Sequence, residues 1–558
     1  MDITLKSRLW ASDGTNYVFP EQCMDSIMSR PAIGACFSGG GTRAMTCAMG
    51  QLRAMTELGV IPTLRYISCV SGGSWASTIY TYYQSGASND QDLLGPITRA
   101  DQITDAHVAA GLTTSQLAYG ATRSLEDIVA SWEFYPDWEY SSHDVWNFAV
   151  GETFLEPFGL FDKSQAASHP DKLASYTLDQ ATLDEIRKCN PDLVNHPFFL
   201  PRPDRPFLII NSCFLLPESD PVQSELRNFE YTPLTVGRSF KSTFQGKDFG
   251  GGFIEPFAFR GLQPSAPPDP NGCAGRRLNS LGWVTVQNQD RPMTLVDATG
   301  TSSSAFAEEA ISQYDTGRFD PRAEYWAING SGPYPAAAKT LFGDGGLLEN
   351  NGIIPLIQRG VELAIVFINT ETKLDPNYRP SSDRHDPAND PNGRCDVYFP
   401  ALFGYSNSQW KWFYPNNQIF PASEFQGVLD ALNAKRARGK PMIVNCQHTV
   451  IDNDFWGVQA RSGRMWVTWC YLDRCADWES ALGSSTIRKQ IEQGNPVTGK
   501  PTGPFQNFPN YLTVEQNPDC LVQLTSEQVT LLADFACDCI LIDDENSLSE
   551  AVARAVGQ

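Results

Sequence analysis

Apolar positions first run together at Ile33-Gly-Ala-Cys-Phe37, continuous on both faces, which predicts a buried strand. Ser38-Gly39-Gly40-Gly41-Thr42 interrupts the run. Met45, Ala48, Met49, Leu52 and Met55 then recur at steps of three and four, the spacing of one helix face, and Gly59 with Pro62 supplies the stop. A second apolar run, Arg65-Tyr-Ile-Ser-Cys-Val70, leads into Ser71-Gly72-Gly73 and a further helix through about Tyr83. Residues 33–86 therefore read strand, glycine turn, helix, strand, glycine turn, helix. That is a βαβα unit, which predicts parallel strands with right-handed crossovers.

The pattern changes at about residue 87, and the stretch to 205 reads as helical or irregular and rich in aromatics. Strand character returns at Phe207-Leu-Ile-Ile-Asn-Ser-Cys-Phe-Leu-Leu216, at Lys339–Gly343 and at Val361–Asn369. Pro264, Pro267, Pro268 and Pro270 break 262–292 into what reads as a long surface loop, and 372–394, rich in proline and aspartate, as a mobile one. Thr525-Ser-Glu-Gln528 has the capping pattern of a helix around 526–536. The expected organisation is a polar N-terminal surface segment over 1–32 and one α/β domain over 33–558. A cap or insertion occupies about 87–205.

Composition narrows the class. The 558 residues are 41% hydrophobic and 19% charged, which excludes wholesale disorder. Sixty-four acidic against 42 basic residues leave a net charge of −22, so nucleic acid is not an expected partner, nor is simple electrostatic docking to an anionic membrane. No apolar stretch approaches the roughly 18 residues of a membrane span. Met1–Pro20 carries Asp2, Lys6, Arg8 and Asp13, so it does not read as a signal peptide. Of 14 cysteines, Cys36, Cys47, Cys69, Cys213 and Cys446 sit in apolar runs as buried thiols do. Cys537 with Cys539, and Cys470 with Cys475, lack zinc-site spacing. A reduced, cytoplasmic chain is expected over a secreted disulfide framework, with no metal and no cofactor. Asn329-Gly330-Ser331 is a glycosylation sequon by pattern only.

Three glycine turns carry the candidate chemistry. Ser38-Gly-Gly-Gly-Thr-Arg43 presents backbone N–H groups at a helix start, where an anion is favoured. A tight turn, a phosphate loop and an oxyanion hole all remain open, although the Gly-Lys-Ser/Thr ending of a triphosphate loop is missing. Val70-Ser71-Gly72-Gly73 places a serine at a strand-to-helix bend, as a helix cap or as a nucleophile; Cys69 stands where the nucleophile-elbow pattern has its first glycine. Gly343-Asp344-Gly345-Gly346 sets an aspartate at a strand end, as a turn residue or as a base for the serine. The chain has six histidines and none lies near these turns, although His448, after an apolar run, and His385 follow Asp344 in an order that suits a triad.

Ser38-Gly-Gly-Gly-Thr-Arg-Ala-Met45, Val70-Ser-Gly-Gly-Ser-Trp75 and Asp344-Gly-Gly346 together resemble, in order, the signature blocks of the patatin-like/cytosolic phospholipase A2 superfamily. Gln358–Phe367 resembles the strand after its aspartate, and Gly300-Thr-Ser-Ser-Ser304 a segment of its fungal lysophospholipase branch. The resemblance covers about 33–86 and 294–370. It implies a three-layer α/β/α fold with a mostly parallel central sheet and a Ser71–Asp344 dyad. It also implies an oxyanion hole from the Gly40 and Gly41 amides, and Arg43 at a substrate phosphate.

The expected activity is hydrolysis of glycerophospholipid or lysophospholipid esters through an acyl-serine. An acyltransferase using the same intermediate, and a catalytically silent lipid-binding protein, are the alternatives. A transient membrane or micelle interface is the expected partner besides substrate. Trp132, Phe134, Tyr135, Trp138, Tyr140, Trp146 and Phe148, with Trp410, Trp412, Phe413 and Tyr414, fit an interface rim or acyl pocket as well as plain core packing. Asp383, Asp386 and Asp390 lack the EF-hand pattern and read as a solvated loop.

Overall fold

The computed structural model describes residues 3–12, 18–84, 90–133, 140–218, 221–222, 224–273, 275–288, 291–305, 319–381, 390–405, 414–513, 523–543, 545 and 547–557. The chain divides into two compact units. One comprises Met1–Arg30, Thr81–Gln84 and Asp127–Leu348; the other comprises Pro31–Tyr80, Ser85–Glu126 and Glu349–Gln558.

The second unit holds the βα pattern read from the glycine turns. Its strands Tyr66–Val70, Ile33–Phe37, Leu363–Ile368 and Arg464–Tyr471 pair in that order, all parallel, and Ile443–Thr449 closes the edge antiparallel to Arg464–Tyr471. Ile33–Phe37, Tyr66–Val70 and Leu363–Ile368 are buried along their whole length. That is why they read as continuous apolar runs instead of alternating ones. The helix Gly41–Glu57 is buried from Gly41 to Met55 and packs on Ser526–Leu541, so closely that a Cβ at Gly50 would meet the Ala533 carbonyl at 2.2 Å. Thr525 and Gln528 cap the latter helix reciprocally, as the sequence predicts.

The first unit is mainly antiparallel among its described strands, although the two-residue strands Ser175–Tyr176 and Phe198–Phe199 pair parallel. Gly282–Asn288, Ile3–Ala11, Gly252–Ile254, Val236–Arg238, Arg227–Tyr231 and Phe207–Phe214 pair in sequence. Ala338–Asp344 pairs with Phe207–Phe214 and with Arg322–Tyr325. The α/β class expected from the sequence holds, but the expectation of a mostly parallel sheet needs correction, since the first unit's share of the large sheet is antiparallel among its described strands. Turns as short as 232–235 can join only antiparallel neighbours, whereas the parallel strands are separated by helices.

Three further expectations are overturned. Ile3–Ala11 is not a surface wrapping; it is a strand in which Leu5, Leu9 and Trp10 are fully buried. Lys6 and Arg8 make the segment look solvated, yet Arg8 is buried too, paired with Glu255 at 2.9 Å and Glu185 at 3.1 Å. Its partner, Gly282–Asn288, lies inside the stretch read as a long loop. Cys189 and Cys273 form a disulfide that spans 84 residues, against the expectation of a fully reduced chain. Cys36, Cys47, Cys69 and Cys213 are free and buried as expected, and Cys446 is free and half-buried.

Trp132, Tyr140, Trp146 and Phe148 are all buried in the first unit, with Trp132, Tyr140 and Phe148 ring against ring and the Trp132 indole donating to Glu152 at 2.9 Å. For this part of the aromatic segment, core packing is the finding. Tyr414 is likewise buried, against Tyr398. Phe134, Tyr135, Trp138, Trp410, Trp412, Phe413, Asp383, His385 and Asp386 lie outside the described residues. Among the described residues no helix is long and apolar enough to cross a membrane.

Candidate active site

The strand Tyr66–Val70 ends on Ser71, and the helix Gly72–Tyr82 starts one residue later. So abrupt a reversal forces Ser71 to φ = +50°, in the left-handed region that a side chain pays to occupy. The turn is tight on every side. A Cβ at Gly72 would lie 2.0 Å from the Gly41 carbonyl oxygen, and one at Gly73 would lie 2.4 Å from the Phe37 carbonyl oxygen. One at Gly39 would approach the Ser71 Cβ to 2.9 Å. Glycine is therefore required at all three positions by close approach. Cys69, the departure from the elbow pattern, is fully buried, and burial pushes its thiol up, so it sits in the strand as a neutral thiol beside an intact bend.

The loop before Gly41–Glu57 faces this bend. Gly40 and Gly41 have φ of +130° and +58°, which explains the glycine run on conformational grounds. Ser38 continues the sheet by donating its amide to the Phe367 carbonyl at 3.3 Å, while its hydroxyl accepts from the Asn369 amide at 2.8 Å. The Gly39 amide donates to both the backbone and the side-chain oxygen of Asn350, each at 3.1 Å. For the Gly40 and Gly41 amides no acceptor is found among the described residues. These two donors stand at the start of a 17-residue helix, whose positive end favours negative charge.

Asn350 is held by its neighbours. The Glu349 carboxylate, 3% exposed, accepts from the amides of Asn351 at 2.6 Å and Gly352 at 2.8 Å, which shapes the loop that reaches Gly39. Burial pushes its carboxyl up to about 7. Sequence reasoning passed over Glu349 because a lone glutamate after a glycine turn has no pattern of its own.

Arg43 is not on a helix surface. Its guanidinium is 4% exposed and turns to the protein: Nε donates to the Asn369 carbonyl at 3.0 Å, and Nη1 to the Tyr511 carbonyl at 2.5 Å and to Thr513 Oγ1 at 3.2 Å. Glu371 lies at 3.4 Å.

Asp344 belongs to the other unit, where it ends the strand Ala338–Asp344 opposite Ser212. It is 2% exposed, and its Oδ1 accepts from the Gly346 amide at 2.7 Å. Gly345 has no room for a side chain, since a Cβ there would meet the Asn211 carbonyl at 2.5 Å. The two residues after Asp344 thus hold its carboxylate in one orientation.

His448 is engaged on both ring nitrogens. Trp469 Nε1 can only donate, so at 3.0 Å it fixes His448 Nε2 as the acceptor; Nδ1 then carries the proton and donates to Glu424 at 2.8 Å. The ring is 1% exposed, and burial lowers its pKa from the usual histidine value. A histidine tied in this way has no free nitrogen with which to take a serine proton.

No family model matches the chain. Among curated proteins it is 39% identical to human cytosolic phospholipase A2 zeta over 89 residues, 16% of this chain and 10% of that protein. To mouse cytosolic phospholipase A2 zeta it is 31% identical over 147 residues, 25% of this chain and 16% of that one. The matched stretches thus span a small part of the relatives' length. A solved structure of human GIVD cytosolic phospholipase A2 aligns over 96% of this chain and 65% of that chain at 13% identity, with a TM-score of 0.47. The sequence matches bear out the superfamily resemblance drawn from the three glycine turns.

Proposed function

We propose that this relative of the cytosolic phospholipases A2 is a lipid acyl hydrolase, cleaving glycerophospholipid or lysophospholipid esters through an acyl-Ser71 intermediate. The observation that carries the reading is Ser71 itself, a non-glycine residue at φ = +50° on a strand-to-helix bend pressed against Gly41. Strain of this kind persists where it serves a site.

In this reading Ser71 Oγ attacks the ester carbonyl and Asp344 takes its proton. The carbonyl oxygen becomes an oxyanion and is held by the Gly40 and Gly41 amides, donors set in place before the charge develops. The intermediate collapses, the leaving alcohol oxygen takes the proton from Asp344, and the acyl group remains on Ser71. Water, deprotonated by Asp344, then attacks the acyl carbonyl and releases a fatty acid, and Ser71 recovers its proton. A carboxylate near pKa 4 in water is a weak base. The start of the helix Gly72–Tyr82 helps by stabilising negative charge on the serine oxygen. The bound state of His448 supports a dyad without histidine. We take the chain as one catalytic domain that includes the strand Ile3–Ala11, active in the cytoplasm in transient contact with a lipid interface, through surfaces other than the buried Trp132, Tyr140, Trp146 and Phe148.

A fluorophosphonate probe, which reacts with activated serines, tests the nucleophile; mass spectrometry of products from a mixed lipid extract tests the substrate class. Labelling confined to Ser71 and release of free fatty acid with lysolipid or glycerophosphodiester are expected. Equal labelling of wild type and Ser71→Ala, or lipid turnover that survives this substitution, refutes the assignment.

A further inference from the structure

The Gly39-Gly40-Gly41 run gives the loop its unusual path and also deprives it of stiffness. With φ of +130° and +58°, Gly40 and Gly41 occupy regions from which a glycine peptide can rotate away at little steric cost. An oxyanion hole works only if its donors are fixed in advance. Something outside the loop must therefore hold the Gly40–Gly41 peptide.

Thr513 does so from behind. Its Oγ1 lies 3.0 Å from the Gly40 carbonyl oxygen and 3.2 Å from Arg43 Nη1, and the residue is 4% exposed. A guanidinium has only donors, so Thr513 must accept from Arg43, and its single hydroxyl proton is directed to Gly40. The first helical bond, from the Ala44 amide to the same carbonyl, is a long 3.3 Å. Across a planar trans peptide the carbonyl and the next amide point in opposite directions. Holding the Gly40 oxygen toward Thr513 therefore aims the Gly41 N–H the other way. The serine bend packs against this same residue, with the Gly41 carbonyl oxygen 2.0 Å and its nitrogen 2.8 Å from a Cβ at Gly72. Arg43 fixes Thr513 in turn, through its further bonds to Asn369 and Tyr511.

We propose that Thr513, held by Arg43, is a positioning residue that orients the Gly41 amide toward the oxyanion formed at Ser71. The inference rests on the hydrolase reading above and assigns Arg43 to the rear of the loop instead of to a substrate phosphate. Thr513 stands 473 residues from Gly40 in sequence, so no local pattern reveals the link.

The test compares Thr513→Val, which keeps the shape and loses the donor, with Thr513→Ser, which keeps the donor. Each is measured for kcat and KM on a soluble p-nitrophenyl acyl ester, for the rate of fluorophosphonate labelling, and for its urea midpoint. Loss of a whole oxyanion donor costs about 10²–10³ in turnover, so a misaimed one should cost about 10–10². Thr513→Val should show that loss in kcat and in labelling rate with KM within about twofold, and Thr513→Ser should restore turnover to within about threefold. Where valine disturbs folding, Thr513→Ala carries the same comparison. Wild-type kcat in the valine or alanine variant, a loss confined to KM, or equal damage in Thr513→Ser overturns the inference and leaves the hydrolase reading standing. A wild-type protein that neither turns over ester nor labels at Ser71 removes the hydrolase reading, and this inference with it.

Discussion

If Ser71 is strained for catalysis, removing the strain should stabilise the protein while removing activity. Ser71→Ala and Ser71→Gly both delete the hydroxyl, so they differ only in what the backbone feels at φ = +50°. A residue with a Cβ pays roughly 1–2 kcal/mol in the left-handed region. Glycine escapes that cost but adds freedom to the unfolded chain, worth about 0.4–1 kcal/mol against it. The difference leaves Ser71→Gly more stable than Ser71→Ala by about 1 kcal/mol. At a urea m-value of about 2–3 kcal/mol/M, the midpoint rises by roughly 0.3–0.5 M. Both variants should lose more than about 10²-fold in ester turnover and all fluorophosphonate labelling. The assay is a pair of urea titrations beside a pair of rate measurements. If Ser71→Ala proves as stable as Ser71→Gly or more so, the bend holds no strain to release, and the argument from backbone to nucleophile falls.

Asp344→Asn keeps a side-chain oxygen for the Gly346 amide, so it should fold normally and lose about 10²–10⁴ in turnover; near-normal turnover would remove Asp344 as the base. His448→Gln should keep ester turnover within about tenfold while losing roughly 1–3 kcal/mol of stability, because Trp469 and Glu424 lose a well-placed partner; collapse of activity in a folded variant would restore a histidine base. Burial pushes the Glu349 carboxyl from the ordinary 4.5 up to about 7, so between those limits the folded chain binds more protons than the unfolded one, and stability falls as pH rises. The loss through that window is on the order of 3 kcal/mol, and Glu349→Gln should flatten it; an unchanged slope in urea titrations from pH 5 to 8 would contradict the assignment.

What the sequence made legible is what repeats locally. Ile33–Phe37 and the helix after it were readable because a strand buried on both faces is a continuous apolar run and a helix face recurs every three or four residues. Ile3–Ala11 was unreadable for the converse reason. Its buried Arg8 is neutralised by Glu185 and Glu255, which lie 177 and 247 residues away, and a charge with such partners looks like surface when read alone. Some antiparallel strands of the first unit, Val236–Arg238 and Gly252–Ile254 among them, have only three residues, too brief for a period to register. The Cys189–Cys273 bridge had no spacing signature to give it away.

The candidate site divides along the same line. Its front was legible: a turn that must reverse sharply needs glycine, so Gly39, Gly40, Gly41, Gly72, Gly73 and Gly345 announce themselves wherever backbones touch. Its rear was not, because fixing a flexible loop takes groups from elsewhere in the chain. Asn350, Asn369 and Thr513 meet the loop from elsewhere in the chain, Tyr511 bonds Arg43 behind it, and Glu349 shapes the turn that carries Asn350. Glycine supplies a shape and surrenders rigidity, so a site built from glycine turns requires such outside bonds to keep its donors aimed. On the proposed reading, sequence marks the glycine turns that an oxyanion would face, and only the folded chain shows which bonds hold their loop.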